Sequence, residues 1–359
     1  MKIYTELNLG KTDPGLREPD EPFDITKACE TAKLVESLGF DGMVSTETKD
    51  DSFIMTALAA HGTSTLEIAT SVAIAFARTP YVTAMAAWRL QALSRGRFTL
   101  GLGPQVKAHL VRRFGLDYTP AGSWMRDYVG AVRAFWDCWQ NGTKLNYVSD
   151  RYKLDLMVPL FNPGPMPFSP PPIHVAALNT VMCQVAGEVA DGFRPHPVCT
   201  PRYIKEVLKP AFARGVAKSG RNVQDMSVAM KPLVAAAATE EELEKKIRDV
   251  RARVAFYAST PAYRPAFEIW GLGDLADRLS VLSREQRWEE MPAYVDDEML
   301  NTYAVVGLYD EIADKIVERF SDTLTHVGFS IAVNSDDDAD KLRKMVRRVQ
   351  ESNWTPEQA

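Results

Sequence analysis

Residues Leu66–Phe76 read LEIATSVAIAF, a run of apolar and β-branched side chains with no breaker, as expected of a strand buried on both faces. Arg78-Thr79-Pro80 ends the run. From Tyr81 to Ser94 the apolar positions Val82, Met85, Ala86, Leu90 and Leu93 recur at helical spacing, and Ser94-Arg95-Gly96-Arg97 stops the helix with a glycine near its end. Phe98–Leu102 is a second apolar strand and runs into Gly101-Leu102-Gly103-Pro104. Strand, loop, helix and strand in this order build parallel sheets, with helices as crossovers.

The same alternation extends along the chain. Strands are expected at Lys2–Leu7, Asp41–Ser45, Ile173–Ala177, Gly192–Arg194, Met226–Ala237, Tyr303–Gly307 and His326–Ala332. Helices are expected over Ile25–Leu38 (capped by Asp24 and stopped by Gly39), Asp51–Gly62, Ser123–Asn141, Thr180–Ala190, Pro201–Ser219, Thr239–Tyr257, Tyr309–Phe320 and Asp336–Glu351. Residues 8–23, polar and rich in Gly, Pro and Asp, read as a loop. About eight strands, each followed by a helix, make an α/β TIM (β/α)8 barrel the natural architecture, formed by the whole chain as a single domain. A doubly wound sheet is the alternative, but no GxGxxG turn follows the first strand.

Two segments break the rhythm and read as insertions at the barrel mouth. Residues 142–172 combine a loose hairpin over Asn146–Leu156 with a stretch from Pro159 to Pro172 that holds seven prolines, too many for a central strand. Residues 258–300 are helical in parts and rich in Trp, Arg and Glu. The aromatic residues Trp124, Trp136, Trp139, Tyr257, Tyr263 and Trp270 read first as packing, those in the insertions also as walls for an apolar substrate.

Composition narrows the function classes. The 359 residues are 46% hydrophobic, ample for a large core, and the net charge of −5 argues against nucleic acid or an anionic membrane surface as partner. No apolar run is long enough for a membrane span, and the first residues enter strand-like sequence with no signal-peptide pattern. Cys29, Cys138, Cys183 and Cys199 are scattered, which suggests free thiols and a cytoplasmic protein.

The chain holds no HExxH, P-loop or GxSxG motif, and no His/Cys cluster at metal-ligand spacing. Of five histidines, His109 and His196 fall just past strand C-termini, where barrels carry their chemistry. A cofactor that supplies the chemistry itself fits this inventory better than a metal or a covalent nucleophile. Gly101 and Gly103 would let backbone amides approach a ligand closely, with Gln105 in the loop beyond. Lys107, His109, Arg112 and Arg113 then present positive charge. Ala177-Leu178-Asn179-Thr180 joins a strand to a helix whose free N-terminal amides suit an anion. His196, between two prolines, is the first candidate for proton transfer, since an ordinary imidazole titrates near neutrality.

The pattern TSVAIAFARTP … LSRGRFTLGLG, continued by QVKAHLVRRFG, PPIHVAAL, EVADGFRPHP and VGLYDEIADKI, resembles the luciferase-like superfamily of flavin- and deazaflavin-dependent oxidoreductases, and within it the coenzyme F420-dependent branch. The resemblance covers roughly residues 1–350. It implies a TIM barrel, and a non-prolyl cis peptide near Ser71-Val72 (or at Ala73 or Ile74) forming a bulge behind the cofactor ring. It also implies an anion site near Lys107–Arg113 and a phosphate cradle at Ala177–Thr180. Asp191-Gly192 is then a structural turn. Glu47 matches an acidic position that the family follows with a histidine; here Thr48 stands in its place. The loop acid of related F420 enzymes is likewise replaced by Gln105 and Val106. Proton-transfer candidates are therefore His196, Glu47 and His109, in that order. The implied reaction is hydride transfer between the deazaflavin C5 and a small organic substrate, in a homodimer or larger homo-oligomer. The alternatives are an FMN-dependent monooxygenase using reduced flavin and O2, and a cofactor-binding barrel without catalysis. A barrel lyase or aldolase would need a Schiff-base lysine at a strand end, for which Lys231 alone qualifies.

Overall fold

Eight parallel staves close into a barrel. The structure, a computed structural model, describes residues 1–7, 9, 23–222 and 226–352; most of the loop expected over residues 8–23 lies outside them. The strands in chain order are β1 (Lys2–Glu6), β2 (Gly42–Ser45), β3 (Glu67–Thr70), β4 (Ala73–Ile74) and β5 (Phe98–Gly103). A short hairpin follows, β6 (Tyr147–Val148) and β7 (Lys153–Leu154), then β8 (Ile173–Ala177), β9 (Gly192–Pro195), β10 (Ser227–Met230), β11 (Leu233–Ala237), β12 (Ala304–Leu308) and β13 (His326–Gly328). The barrel order is β3-β2-β1-β13-β10-β9-β8-β5-β4, and β3 also pairs with β5, which closes the ring. Every barrel pair is parallel.

The strand–helix units expected from the pattern form, mostly with boundaries shifted by a residue or two; the last strand, expected over His326–Ala332, ends at Gly328. Asp24 accepts from the Thr26 amide and Gly39 stands past the end of the first helix at positive φ, as expected, and further caps appear. Asp51 accepts from the Phe53 and Ile54 amides, Thr79 from Val82 and Asn179 from Met182, while Gly142 and Gly220 end helices at positive φ. Between barrel and outer helices, Trp88, Trp136 and Trp139 are fully buried, and the Trp136 indole donates to the Ala84 carbonyl at 3.0 Å.

Three expected elements are interrupted, each for a visible reason. The run Leu66–Phe76 is two strands, because the Ser71–Val72 peptide is cis and lifts the chain out of register between β3 and β4. The run Met226–Ala237 is also two strands, since Pro232 has no N–H to donate to a ladder. The helix over Pro201–Ser219 contains a π turn at Ile204–Leu208, just before Pro210, where the missing proline donor frees an upstream carbonyl. One strand has a different partner from the one a plain eightfold count gives it. Tyr303–Gly307 is realised as β12, which pairs with β11 in a two-stranded parallel sheet beside the barrel, leaving β13 as the eighth stave. An apolar run specifies a strand but not its neighbour.

The first insertion carries the expected hairpin, β6 against β7. Its proline-rich part starts at the mouth, where the Tyr81 hydroxyl donates to the Phe161 carbonyl at 3.3 Å. It then runs down the outside, where Gln140 donates to Met166 at 3.0 Å and Gln91 to Ser169 at 2.8 Å. The second insertion folds into helices Arg264–Glu268, Gly273–Arg284 and Asp297–Tyr303. All four cysteines are free, and burial pushes the Cys199 thiol up to about 12, which makes it unreactive.

Candidate active site at the barrel mouth

The interrupted strand is built into the mouth by its neighbour. The Gly101 amide donates to Thr70 Oγ1 at 2.8 Å, and that hydroxyl donates to the Gly101 carbonyl at 2.8 Å. Beyond the cis peptide, β4 resumes pairing with β5 at Ala73–Leu102 and Ile74–Gly103. A Cβ on Gly101 would lie 2.0 Å from the Thr70 carbonyl oxygen, and one on Gly103 would lie 2.5 Å from Val72 Cγ2. The two glycines thus let β5 lie against the interrupted strand, a packing reason that the sequence alone did not supply. In the following loop Gln105 has φ +65° and its side chain accepts from the Val106 amide at 2.9 Å.

Glu47 braces the same wall from the other side. Arg78 Nη1 lies 2.7 and 2.9 Å from its two oxygens, and the Ile74 amide donates to Oε2 at 2.8 Å. Arg78 Nη2 reaches Asp51 at 2.6 Å, joining the brace to the cap of the Ser52–Gly62 helix. A carboxylate held by a guanidinium and a backbone amide positions β4; the arrangement does not present it as a free base. Thr48 is exposed, and its carbonyl accepts from Arg113 Nη2 at 3.4 Å. His109 is exposed on the Lys107–Arg112 helix, and Lys107 lies over the Tyr118 ring at 4.8 Å.

On the stave neighbouring β5, Ala177 ends β8 and the Leu178 carbonyl accepts from the Tyr203 hydroxyl at 3.0 Å. Asn179 caps the Thr180–Val189 helix by accepting from the Met182 amide at 2.9 Å. The Thr180 and Val181 amides, in the first turn, have no acceptor within the helix, and both residues are exposed.

His196 does lie at the end of β9 but inside an aromatic wall. Its ring contacts Tyr257 at 4.7 Å and Tyr263, of the second insertion, at 4.3 Å between centroids. Nδ1 accepts from the Val198 amide at 3.3 Å, which leaves Nε2 to carry the proton. Desolvation pushes the pKa down to about 3. The side chain is a neutral imidazole and a hydrogen-bond donor through Nε2, not a titrating base near neutrality.

Two features escaped the sequence reading. The first is a cavity of about 150 Å3 at the C-terminal ends of β1, β2, β10 and β13, with Glu6, Lys231, Val44, Leu233, Tyr309 and Phe329 in its lining. Lys231 Nζ lies 3.2 Å from Glu6 Oε2, and the Glu6 side chain is 16% exposed. The available signal was positional: Glu6 closes the first strand, where barrel chemistry sits. The cavity exists because the chain leaves the barrel at Lys231-Pro232 to form β11.

The second is a polar barrel interior. Arg194, 8% exposed, extends from β9 with Nη1 3.3 Å from Ser71 Oγ, and its Nε has no hydrogen-bond partner. Near it stand Tyr4, hydrogen-bonded to Glu67, and the rings of His174 and His326, 6.4 Å apart. Burial, then the charge of Arg194, holds His174 well below the usual imidazole range. Burial chiefly, with Lys2 and Arg194, pushes His326 down to about 3.

These histidines make stability depend on pH. An imidazole that is neutral when buried but ordinary when unfolded takes up protons on unfolding below about pH 6.5. Its contribution is fully present above that value and falls by about 1.4 kcal/mol per pH unit as pH drops toward the folded pKa near 3. Chemical denaturation at pH 7.5 and pH 5 should therefore show a loss of about 2 kcal/mol for each of His196 and His326. Equal stability at the two pH values would contradict the buried neutral state.

A family model described as luciferase-like monooxygenase matches residues 8–326. An uncharacterized protein of Mycobacterium tuberculosis is 42% identical over 298 residues, covering 83% of this chain and 88% of that one. The 5,10-methylenetetrahydromethanopterin reductase of Methanolobus tindarius is 25% identical over 317 residues, covering 86% and 90%. Among solved structures, the coenzyme F420-dependent tetrahydromethanopterin reductase of Methanopyrus kandleri superposes with a TM-score of 0.71 at 19% identity (98% and 97% covered). EDTA monooxygenase of Chelativorans sp. BNC1 gives 0.74 at 14% (99% and 95%). At these identities the two structures establish the fold alone. Among the described residues no helix is long and apolar enough to cross a membrane.

Proposed function

This chain belongs to the luciferase-like monooxygenase family, whose members are F420- or flavin-dependent oxidoreductases acting on small molecules, and from that premise we propose that it is a coenzyme F420-dependent dehydrogenase or reductase. The observation that carries the reading is the arrangement of the mouth. The wall at Ser71–Val72, the open helix start at Asn179–Thr180 and the cavity at Glu6 and Lys231 all lie at the C-terminal ends of barrel strands. The residues fit a phosphate-bearing tricyclic cofactor. Arg194 offers an unsatisfied buried donor next to the wall, and Thr180 and Val181 offer amides suited to a phosphate.

When bound, the deazaflavin supplies the hydride chemistry at its C5. The protein's part is to hold and orient. Ser71, Val72 and the glycine-backed strand β5 (Gly101, Gly103) support the ring, and Glu47 with Arg78 keeps that support rigid. Ala177, Leu178, Asn179 and Thr180 hold the phosphate, with Gln105 on the β5 side. Lys107, His109, Arg112 and Arg113 suit the anionic oligoglutamate tail of F420, a feature FMN lacks; this and the similarity to a protein described as a putative coenzyme F420-dependent oxidoreductase favour the deazaflavin. Glu6 is the carboxylate placed to hold or deliver a proton in the cavity, and Lys231 orients it. His196, at the end of β9, is a neutral ring that can donate through Nε2. The four free cysteines fit a reducing cytoplasm, and a homodimer or larger assembly is expected.

The test is anaerobic. Under this reading the protein oxidises F420H2, or reduces F420, when offered a panel of alcohols, carbonyls and imines without O2. Turnover only with reduced FMN and O2 would establish the monooxygenase alternative, and cofactor binding with no turnover on either panel the non-catalytic one.

A further inference from the structure

Arg194 is a cation in the wrong place for a structural residue. All four positions of β9 are buried, and a guanidinium there is expected to meet a carboxylate, because an unpaired buried charge is costly. Among the described residues none pairs with it. Its polar neighbours are the Ser71 hydroxyl, at 3.3 Å from Nη1, and the uncharged Tyr4, His174 and His326. Room for it comes from Gly101, where a Cβ would stand 3.2 Å from Arg194 Nε. Glu67, which accepts from the Tyr4 hydroxyl, is also engaged by Lys2 at 2.6 Å. Two histidines that could add positive charge are kept neutral, and no anion balances the arginine. The fold thus retains one net positive charge at the top of the barrel interior, touching the residue that opens the cis peptide.

We infer that Arg194 is an electrostatic positioning residue for the cofactor ring, its unpaired charge favouring the reduced, anionic ring over the oxidised one. The inference rests on the cofactor placement proposed above. Hydride addition brings two electrons and one proton to the ring, so the ring gains one unit of negative charge until a further proton is bound. A fixed cation in a low-dielectric site lowers the free energy of that added charge without reorganisation. Arg194 acts through the Ser71 wall and by its field.

The experiment uses the full chain and measures dissociation constants for oxidised and reduced F420, and for oxidised and reduced FMN, anaerobically at pH 7.5. Comparison is among wild type, Arg194→Met, Arg194→Lys and Ser71→Ala. The expected result is a fall of at least tenfold in the reduced-over-oxidised preference for Arg194→Met, with most of it restored in Arg194→Lys. Ser71→Ala, which removes the hydrogen bond but keeps the charge, should retain the preference within about threefold. The cofactor-free Arg194→Met protein should also melt no lower than wild type, since removing an unpaired buried charge relieves a cost. Equal losses for both redox states, or a Ser71→Ala protein that behaves like Arg194→Met, would overturn the inference and leave Arg194 a packing residue of the wall. Should Arg194→Met not fold, Arg194→Gln, which also removes the charge but keeps a polar side chain, takes its place and decides by the same ratio. A wild-type protein that binds neither ring would bring down the cofactor reading itself, and this inference with it.

Discussion

A Gly101→Ala protein should fail to fold at 37 °C. The added Cβ would sit 2.0 Å from the Thr70 carbonyl oxygen and 3.0 Å from its carbon. Both are backbone atoms of an adjacent stave and cannot swing aside. Relief requires β5 to part from β3, which would break the paired hydrogen bonds between Gly101 and Thr70 Oγ1 and disturb the register of β5 with β8. The expected loss exceeds about 4 kcal/mol, above the roughly 1–3 kcal/mol of ordinary overpacking because the clash is with backbone that cannot repack, and approaches the whole stability of an ordinary domain. Soluble yield and thermal unfolding measure it. A variant melting within a few degrees of wild type would show that β3 and β5 are not packed as described.

The second large effect concerns chemistry. Glu6→Gln keeps the size and most hydrogen bonds of the side chain but removes its capacity to hold a transferable proton. If Glu6 is the proton-transfer group of the cavity, kcat should fall by about 10²–10⁴, while cofactor affinity and thermal stability stay close to wild type. The Lys231 ammonium, 3.2 Å away, would keep a neutral acceptor. A Glu47→Gln variant should behave differently. There the loss of the Arg78 pair and the weakened hold on the Ile74 amide should loosen the wall, so that cofactor affinity and stability fall together. Should Glu6→Gln retain kcat within about threefold and Glu47→Gln lose it with affinity intact, the roles would have to be exchanged.

Much of the fold was legible because buried parallel strands are continuous apolar runs and outer helices are periodic. The runs at Leu66–Phe76 and Phe98–Leu102 located two neighbouring staves and the helix between them. What the pattern could not supply was partnership. The AVVGL run of β12 reads as a strand in any sheet, and only the structure shows it beside β11 outside the barrel. Nor could it locate interruptions: nothing in the side chains of Ser71 and Val72 marks a cis bond, and the family resemblance alone pointed there.

The candidate site divides along the same line. Asn179 and Thr180 were singled out because a strand running into a helix start, with its free amides, is a local signal. Glu47 was found by position, yet its engagement with Arg78, 31 residues on, was invisible. His196 was singled out for the pKa of a free imidazole, and burial among Tyr257 and Tyr263 removes that property. Glu6 and Arg194 were passed over as ordinary strand residues. Arg194 carried a signal all the same, a charged side chain in the middle of a strand expected to be buried.

The central claim, that the mouth holds a deazaflavin, is tested most directly by equilibrium fluorescence titration of the purified protein with coenzyme F420 and with FMN. The account predicts F420 binding at micromolar concentration or tighter, FMN binding much weaker, and loss of the F420 affinity when Thr180→Glu places a carboxylate at the phosphate cradle. Tight FMN binding with weak F420 binding, or no binding of either, would contradict it.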